Sequence, residues 1–109
     1  MAHLLKIISK RSTFVLLREK GKFIRGKTFN LQFLEDSNLE NIIFVGYTAS
    51  KKLGKSVKRN KAKRIMRELA RKVITKYGKI NFYYVLIAKN SILKTPFKEL
   101  ELELENIII

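Results

Sequence analysis

Residues Lys51–Lys76 read KKLGKSVKRNKAKRIMRELARKVITK. This stretch holds 12 of the chain's 24 Lys and Arg residues and only one of its 9 acids, Glu68. It also carries a helical period. At about 100° per residue, Ala62, Ile65, Met66, Leu69, Val73 and Tyr77 gather on one side. Asn60, Arg64, Arg67 and Arg71 gather on the other, at spacings of four, three and four. One face is built to enter a core. The other presents a row of guanidinium forks, whose planar N–H donors suit phosphate oxygens.

A basic helix face is often only a solvated face. Here the row lacks the interleaved glutamates of a salt-bridged surface helix, and like charges at i, i+4 repel. The whole chain carries a net charge of +15. Clustering of this kind costs stability unless a polyanionic partner compensates it.

At 109 residues the chain is expected to form one domain, residues 1–109, with 46% hydrophobic residues to build its core. Its 7 Phe and 4 Tyr argue against general disorder. It has no cysteine, which excludes disulfides and thiolate metal sites and makes a reducing cytoplasm the expected compartment. The longest apolar run, Phe82–Ala88, falls far short of the roughly 20 residues a spanning helix needs. The opening MAHLLKIISKR is broken by Lys6 and lacks a small-residue cleavage site, so it reads as an ordered or half-ordered arm. The lone His3 offers no ligand set.

Toward the N-terminus, Ser12 is placed to cap a short helix over Thr13–Lys20, with Gly21 just past its end. On composition Phe14 reads as core rather than as a stacking platform. Lys22–Arg25 and Lys27–Leu34 read as strands around a bend at Gly26, the second alternating Phe29, Leu31 and Phe33 with Thr28, Asn30 and Gln32. Glu35–Asn41 is a polar turn cluster that reads as a hairpin loop, and Ile42–Thr48 is a strand buried on both faces. The basic helix spans about Ser56–Tyr77 and stops at Gly78. Phe82–Ala88 is a further strand and Lys89–Lys94 a loop. Thr95 as cap and Pro96 at the first helical position then start a last helix, with Phe97, Leu100, Leu104 and Ile107 as its stripe. The order is αβββαβα: a two-layer α+β sandwich, a small mixed sheet with helices packed on one face and the other face partly open to a ligand.

Ala49–Ser56, ASKKLGKS, echoes a phosphate-binding loop between strand and helix. Its first position is Ala49 instead of glycine, and no acidic strand end comes after it to hold magnesium, so Gly54 reads as a turn residue. The remaining acids group at Glu35–Glu40 and Glu99–Glu105, without histidine and without two-metal spacing. No nucleophile–base pair is available. The chain therefore reads as a nucleic-acid binder without catalytic apparatus of its own. Aromatics on an open sheet favour single-stranded RNA over duplex DNA.

The run Ser50-Lys51-Lys52-Leu53-Gly54-Lys55-Ser56-Val57, continued by Arg59-Asn60-Lys61-Ala62-Lys63-Arg64-Ile65-Met66-Arg67-Glu68, resembles the signature of the bacterial ribonuclease P protein component: S-K-K-x-G-x-A-V, then R-N-R-x-K-R-x-x-R-E. The order of elements and Phe14 before a Gly-Lys pair agree with it. The resemblance implies the small subunit of a ribonucleoprotein endoribonuclease that removes the 5′ leader from precursor tRNA. Its RNA subunit is the catalyst and holds magnesium, and no cofactor is expected on the protein. The implied partners are that one RNA subunit and the leader, with no membrane and no small-molecule substrate. A left-handed β-α-β crossover, shared with a ribosomal-protein domain, is implied too; sequence rules alone favour the right-handed form.

Carried over by position, the resemblance assigns RNA contact to Lys51, Lys52, Arg59, Asn60, Lys61, Lys63, Arg64 and Arg67, to which the helical row adds Arg71. It places Phe14 in a leader cleft between the first helix and the sheet. Three departures matter. Lys61 replaces an arginine and loses its fork. Arg18 and Gln32 stand at cleft positions where aromatics are common, so stacking on the leader is expected to be weaker here and charge contact stronger.

Overall fold

The computed structural model describes residues 5–108. Its elements are β1 (Leu5–Ile7), α1 (Arg11–Lys20), β2 (Lys22–Ile24), β3 (Phe29–Glu35), β4 (Ile43–Thr48), α2 (Ser56–Leu69), α3 (Thr75–Tyr77), β5 (Phe82–Ala88) and α4 (Phe97–Ile108). The five strands form one mixed sheet in the order β1-β4-β5-β3-β2. β4 runs parallel to both β1 and β5, while β3 is antiparallel to β5 and β2. The β4–α2–β5 crossover therefore joins neighbouring parallel strands.

The expected α+β sandwich is present with two differences. The first is β1, which lies in the arm and pairs Leu5–Ile7 with Ile43–Val45. The order becomes βαβββαβα. Residue His3 lies outside the described residues.

The second difference concerns the faces. Alternation along β4 and β5 sends Ile43, Val45, Tyr84, Leu86 and Ala88 to one side, where Ala62, Met66, Leu69, Leu100 and Leu104 of α2 and α4 pack on them. Val85 goes to the other side, where Leu17 of α1 packs with Phe14, Phe44 and Tyr83 around it. So α1 does not share a face with the other helices. It covers part of the face expected to be open, because β4 and β5 are apolar on both sides.

The helix from Ser56 to Tyr77 is continuous, but Ala70–Ile74 form a π turn. The wider turn takes up one extra residue and shifts the helical phase of Thr75–Tyr77. Ala70, Val73 and Ile74 are buried, and Tyr77, expected in the core, is 39% exposed.

Smaller corrections concern one loop and the caps. Glu35–Asn41 does not close a hairpin, because β5 lies between β3 and β4 and pairs with both. α1 starts two residues early, after Lys10, and Ser12 lies inside it without a capping role. Thr95 does not cap α4; its hydroxyl donates to the Ser91 carbonyl at 2.8 Å. The Pro96 carbonyl accepts instead from the N–H groups of Glu99 and Leu100. The bend expected at Gly26 is a turn over Gly26–Thr28 held from α4. The Glu103 carboxylate accepts from the N–H of Lys27 (2.6 Å), the N–H of Thr28 (3.1 Å) and the Thr28 hydroxyl (2.7 Å).

Candidate nucleic-acid interface

The roll of α2 is fixed by Ala62, Met66 and Leu69, all fully buried. Burying a side chain the size of Leu or Met is worth about 1.5–3 kcal/mol. Turning the helix would expose these groups and drive arginines against the sheet. The outward side is thereby set: Asn60, Lys61, Lys63, Arg64, Arg67 and Arg71 are exposed, and Arg59 is half-buried.

Electrostatics divide this row. Arg71 is ion-paired with Glu68 one turn before it, which lowers the Glu68 carboxyl pKa and raises that of Arg71. This is the only ion pair among the described residues. Arg59, Lys63, Arg64 and Arg67 have no carboxylate partner among them. The Arg59 Nε is buried without a hydrogen-bond partner. Arg67 lies within electrostatic reach of Tyr47 on β4: burial raises the Tyr47 hydroxyl above its ordinary value, and the positive charge of Arg67 partly offsets the rise.

Lys51 and Lys52 are exposed on a 3-10 turn, Lys51–Leu53, that leads into the helix. The Ser50 hydroxyl accepts from the Lys52 N–H at 3.3 Å, and the N–H groups of Leu53 and Gly54 donate to the carbonyls of Ser50 and Lys51. These donors are consumed inside the turn and do not converge on an anion. Gly54 has φ 115°, where a side chain would be strained, so the glycine serves the turn.

The opposite face carries the second group. Phe14 of α1 is half-buried and lies over Gly46 of β4, where a Cβ would stand 2.7 Å from its ring. Gln32 of β3 is half-buried and pairs with Val85, whose partner on β4 is Gly46. Phe14 and Gln32 therefore belong to the same side of the sheet. Arg18 comes one turn after Phe14 and is exposed.

Two residues at this site escaped the sequence reading. Phe44 and Tyr83, neighbours on β4 and β5, stack with ring centroids 5.5 Å apart. With Ile7, Ile8, Lys10 and Thr13 they line a cavity of about 200 Å³ beside the start of α1. Their signal was available. Each alternates out of phase with the buried Val45 and Tyr84 on strands whose two faces are both apolar.

The two groups meet at β4. Gly46 lies under Phe14, and Tyr47, the next residue, points to the side of Arg67. Among the described residues no group of three or more His, Asp or Glu could hold a metal ion. No helix among them is long and apolar enough to cross a membrane.

A mixed sheet with a parallel crossover through a helix whose outer row is cationic defines a small basic α+β protein. The chain belongs to the Ribonuclease P family, whose model matches residues 5–109. It is 37% identical over 89 residues to the ribonuclease P protein component of Caulobacter vibrioides, a match covering 80% of this chain and 59% of that protein. The match to the ribonuclease P protein component of Clostridium botulinum is 36% over 101 residues, covering 93% of this chain and 89% of that one. The fold is similar to that of the RNase P protein of Staphylococcus aureus, with TM-score 0.78 and 26% identity over 93% of this chain and 90% of that one. It is also similar to that of the RNase P protein of Thermotoga maritima, with TM-score 0.80 and 24% identity over 94% of each chain.

Proposed function

We propose that this chain is the protein subunit of a ribonuclease P: it binds the catalytic RNA and the 5′ leader of precursor tRNA and assists the cut that frees the mature 5′ end. The observation that supports this most is the row Asn60, Lys63, Arg64 and Arg67, exposed and without carboxylate partners, on a helix whose roll the core fixes. A fixed row of donors matches fixed phosphates. Each phosphate neutralised releases counterions and lowers the repulsion between RNA segments. Lys51, Lys52, Lys61 and Arg71 extend the contact, with Arg71 weakened by its bond to Glu68.

In this reading the leader enters on the α1 side, along Phe14 with Arg18 and Gln32 beside it, and stacks on the aromatic surface there. The protein supplies charge and shape. Bond breaking belongs to the RNA subunit and its magnesium ions, and no cofactor is held by the protein. Its compartment is the cytoplasm, where the RNA partner resides.

Reconstitution tests the reading. Purified protein with a bacterial ribonuclease P RNA should cleave precursor tRNA at a magnesium concentration where the RNA alone is slow, and the protein alone should not cleave. Equal binding of tRNA with and without the leader would instead mark a general RNA chaperone.

A further inference from the structure

Among the described residues, the sheet face under α2 and α4 is not covered to its edge. Beyond the last turn of α4, over β3 and β5, lies a cavity of about 450 Å³. Its floor is aromatic. The rings of Phe82 and Tyr84 are 5.7 Å apart with planes 17° from parallel, and Phe33 lies 6.4 and 6.5 Å from them. Tyr84 is buried and its hydroxyl accepts from the Lys79 N–H at 3.0 Å. Phe33 and Phe82 are only half-buried and keep ring surface open to the cavity.

The rim is cationic. Lys20 ends α1, Lys22 begins β2 and Lys79 comes just after α3, and all three are exposed at the cavity's edge. Glu35 is the one acid of the lining. These rings belong to the α2–α4 side of the sheet. They are separate from Phe14, Phe44 and Tyr83 on the α1 side.

We propose that this cavity binds one unpaired nucleotide of an RNA strand. The base stacks on Phe33 and Phe82, and the flanking phosphates lie at Lys20, Lys22 and Lys79. An apolar ligand would leave three lysines uncompensated, and a free anion would leave the aromatic floor unused. A nucleotide satisfies both, and the volume is that of an ordinary small-ligand site. The Glu35 carboxylate accepts from an amino group on the base edge. Adenine carries such a group and uracil does not, so the site favours adenine over uracil.

The test is a titration of the isotope-labelled full chain with single-stranded hexamers of adenylate and of uridylate, monitored through its amide resonances. The adenylate hexamer is expected to shift Leu31–Glu35 and Phe82–Tyr84, and the uridylate hexamer to bind more weakly. Phe82→Leu keeps an apolar filler and is expected to weaken adenylate binding about fivefold or more. Lys22→Glu, on the surface, is expected to weaken it without disturbing the fold, and Glu35→Gln to narrow the preference for adenylate. Adenylate binding unchanged in both Phe82→Leu and Lys22→Glu would overturn the proposal. So would shifts confined to Phe14, Phe44 and Gly46, which report leader binding alone, or shifts at Phe82 that track protein concentration without RNA and mark a second copy of the chain. The two faces carry different resonances, so loss of one site leaves the other measurable.

Discussion

Phe14 rests on Gly46: a methyl group at position 46 would stand 2.7 Å from one ring carbon and 2.8 Å from the next. The ring is therefore seated by the absence of a side chain on β4. Gly46→Val is expected to cost roughly 1–3 kcal/mol of stability through overpacking and to lift Phe14 from the sheet. Denaturant melts give the first quantity. Affinity for precursor tRNA relative to mature tRNA gives the second, and an unchanged ratio would remove Phe14 from the leader site.

Arg64→Ala and Arg67→Ala should each weaken RNA binding by roughly 1.5–3 kcal/mol, the range for hydrogen bonds to a charged group. The salt slope should fall in magnitude by about 0.7–0.9 for every phosphate that is no longer neutralised. Binding isotherms at several salt concentrations read both. Constant slopes would mean that these side chains do not touch phosphate.

Arg71→Ala should weaken RNA binding less than Arg64→Ala does, because Glu68 already occupies its guanidinium. Glu68→Gln should tighten binding by freeing Arg71, and the gain should vanish in the Glu68→Gln, Arg71→Ala double variant. The double-mutant cycle isolates this coupling.

Glu103→Ala removes the common acceptor of two backbone N–H groups and a hydroxyl in the Gly26–Thr28 turn. A loss of about 1.5–3 kcal/mol is expected from hydrogen bonds to a charged group. Hydrogen exchange at Lys27 and Thr28 should quicken by more than exchange at Val85, in the centre of the sheet. Uniform acceleration would show that the turn has no local dependence on Glu103.

Burial raises the Tyr84 hydroxyl above its ordinary value of 10.0, and the hydrogen bond from the Lys79 N–H acts against the rise. The folded state thus holds this proton more tightly than the unfolded chain does. The contribution is intact below pH 10.0 and is lost as pH rises through the folded pKa. Thermal melts above pH 10.0 should show stability falling. Tyr84→Phe should flatten that fall, while losing about 1 kcal/mol at neutral pH with the hydrogen bond. An equally steep fall in the variant would assign it to other groups.

The basic helix and β3 are legible from their own periods, and β4 and β5 from unbroken apolar runs of six residues or more. The elements that were misread depended on partners distant in sequence. β1 has three residues, too few to show alternation, and exists only because Leu5–Ile7 find the parallel edge of β4. The side taken by α1 is set by the apolar second face of β4 and β5, which a single-strand pattern reveals without saying what covers it. Thr95 looked like a cap by type, yet its hydroxyl found the Ser91 carbonyl first. Of the site, the cationic row was readable from spacing. The Phe44–Tyr83 stack was not, because it is made by register between two strands.

The π turn at Ala70–Ile74 lets one rod obey two masters. Ahead of it, the pitch is locked to Met66 and Leu69, so the guanidinium row keeps its aim. Within it, Ala70, Val73 and Ile74 stay seated in the core, and behind it Tyr77 swings outward. Changes near the end of the rod can thus be absorbed there without turning Arg64 or Arg67 from their bearing. Deleting one residue within the turn would remove that insulation and set the two halves against each other.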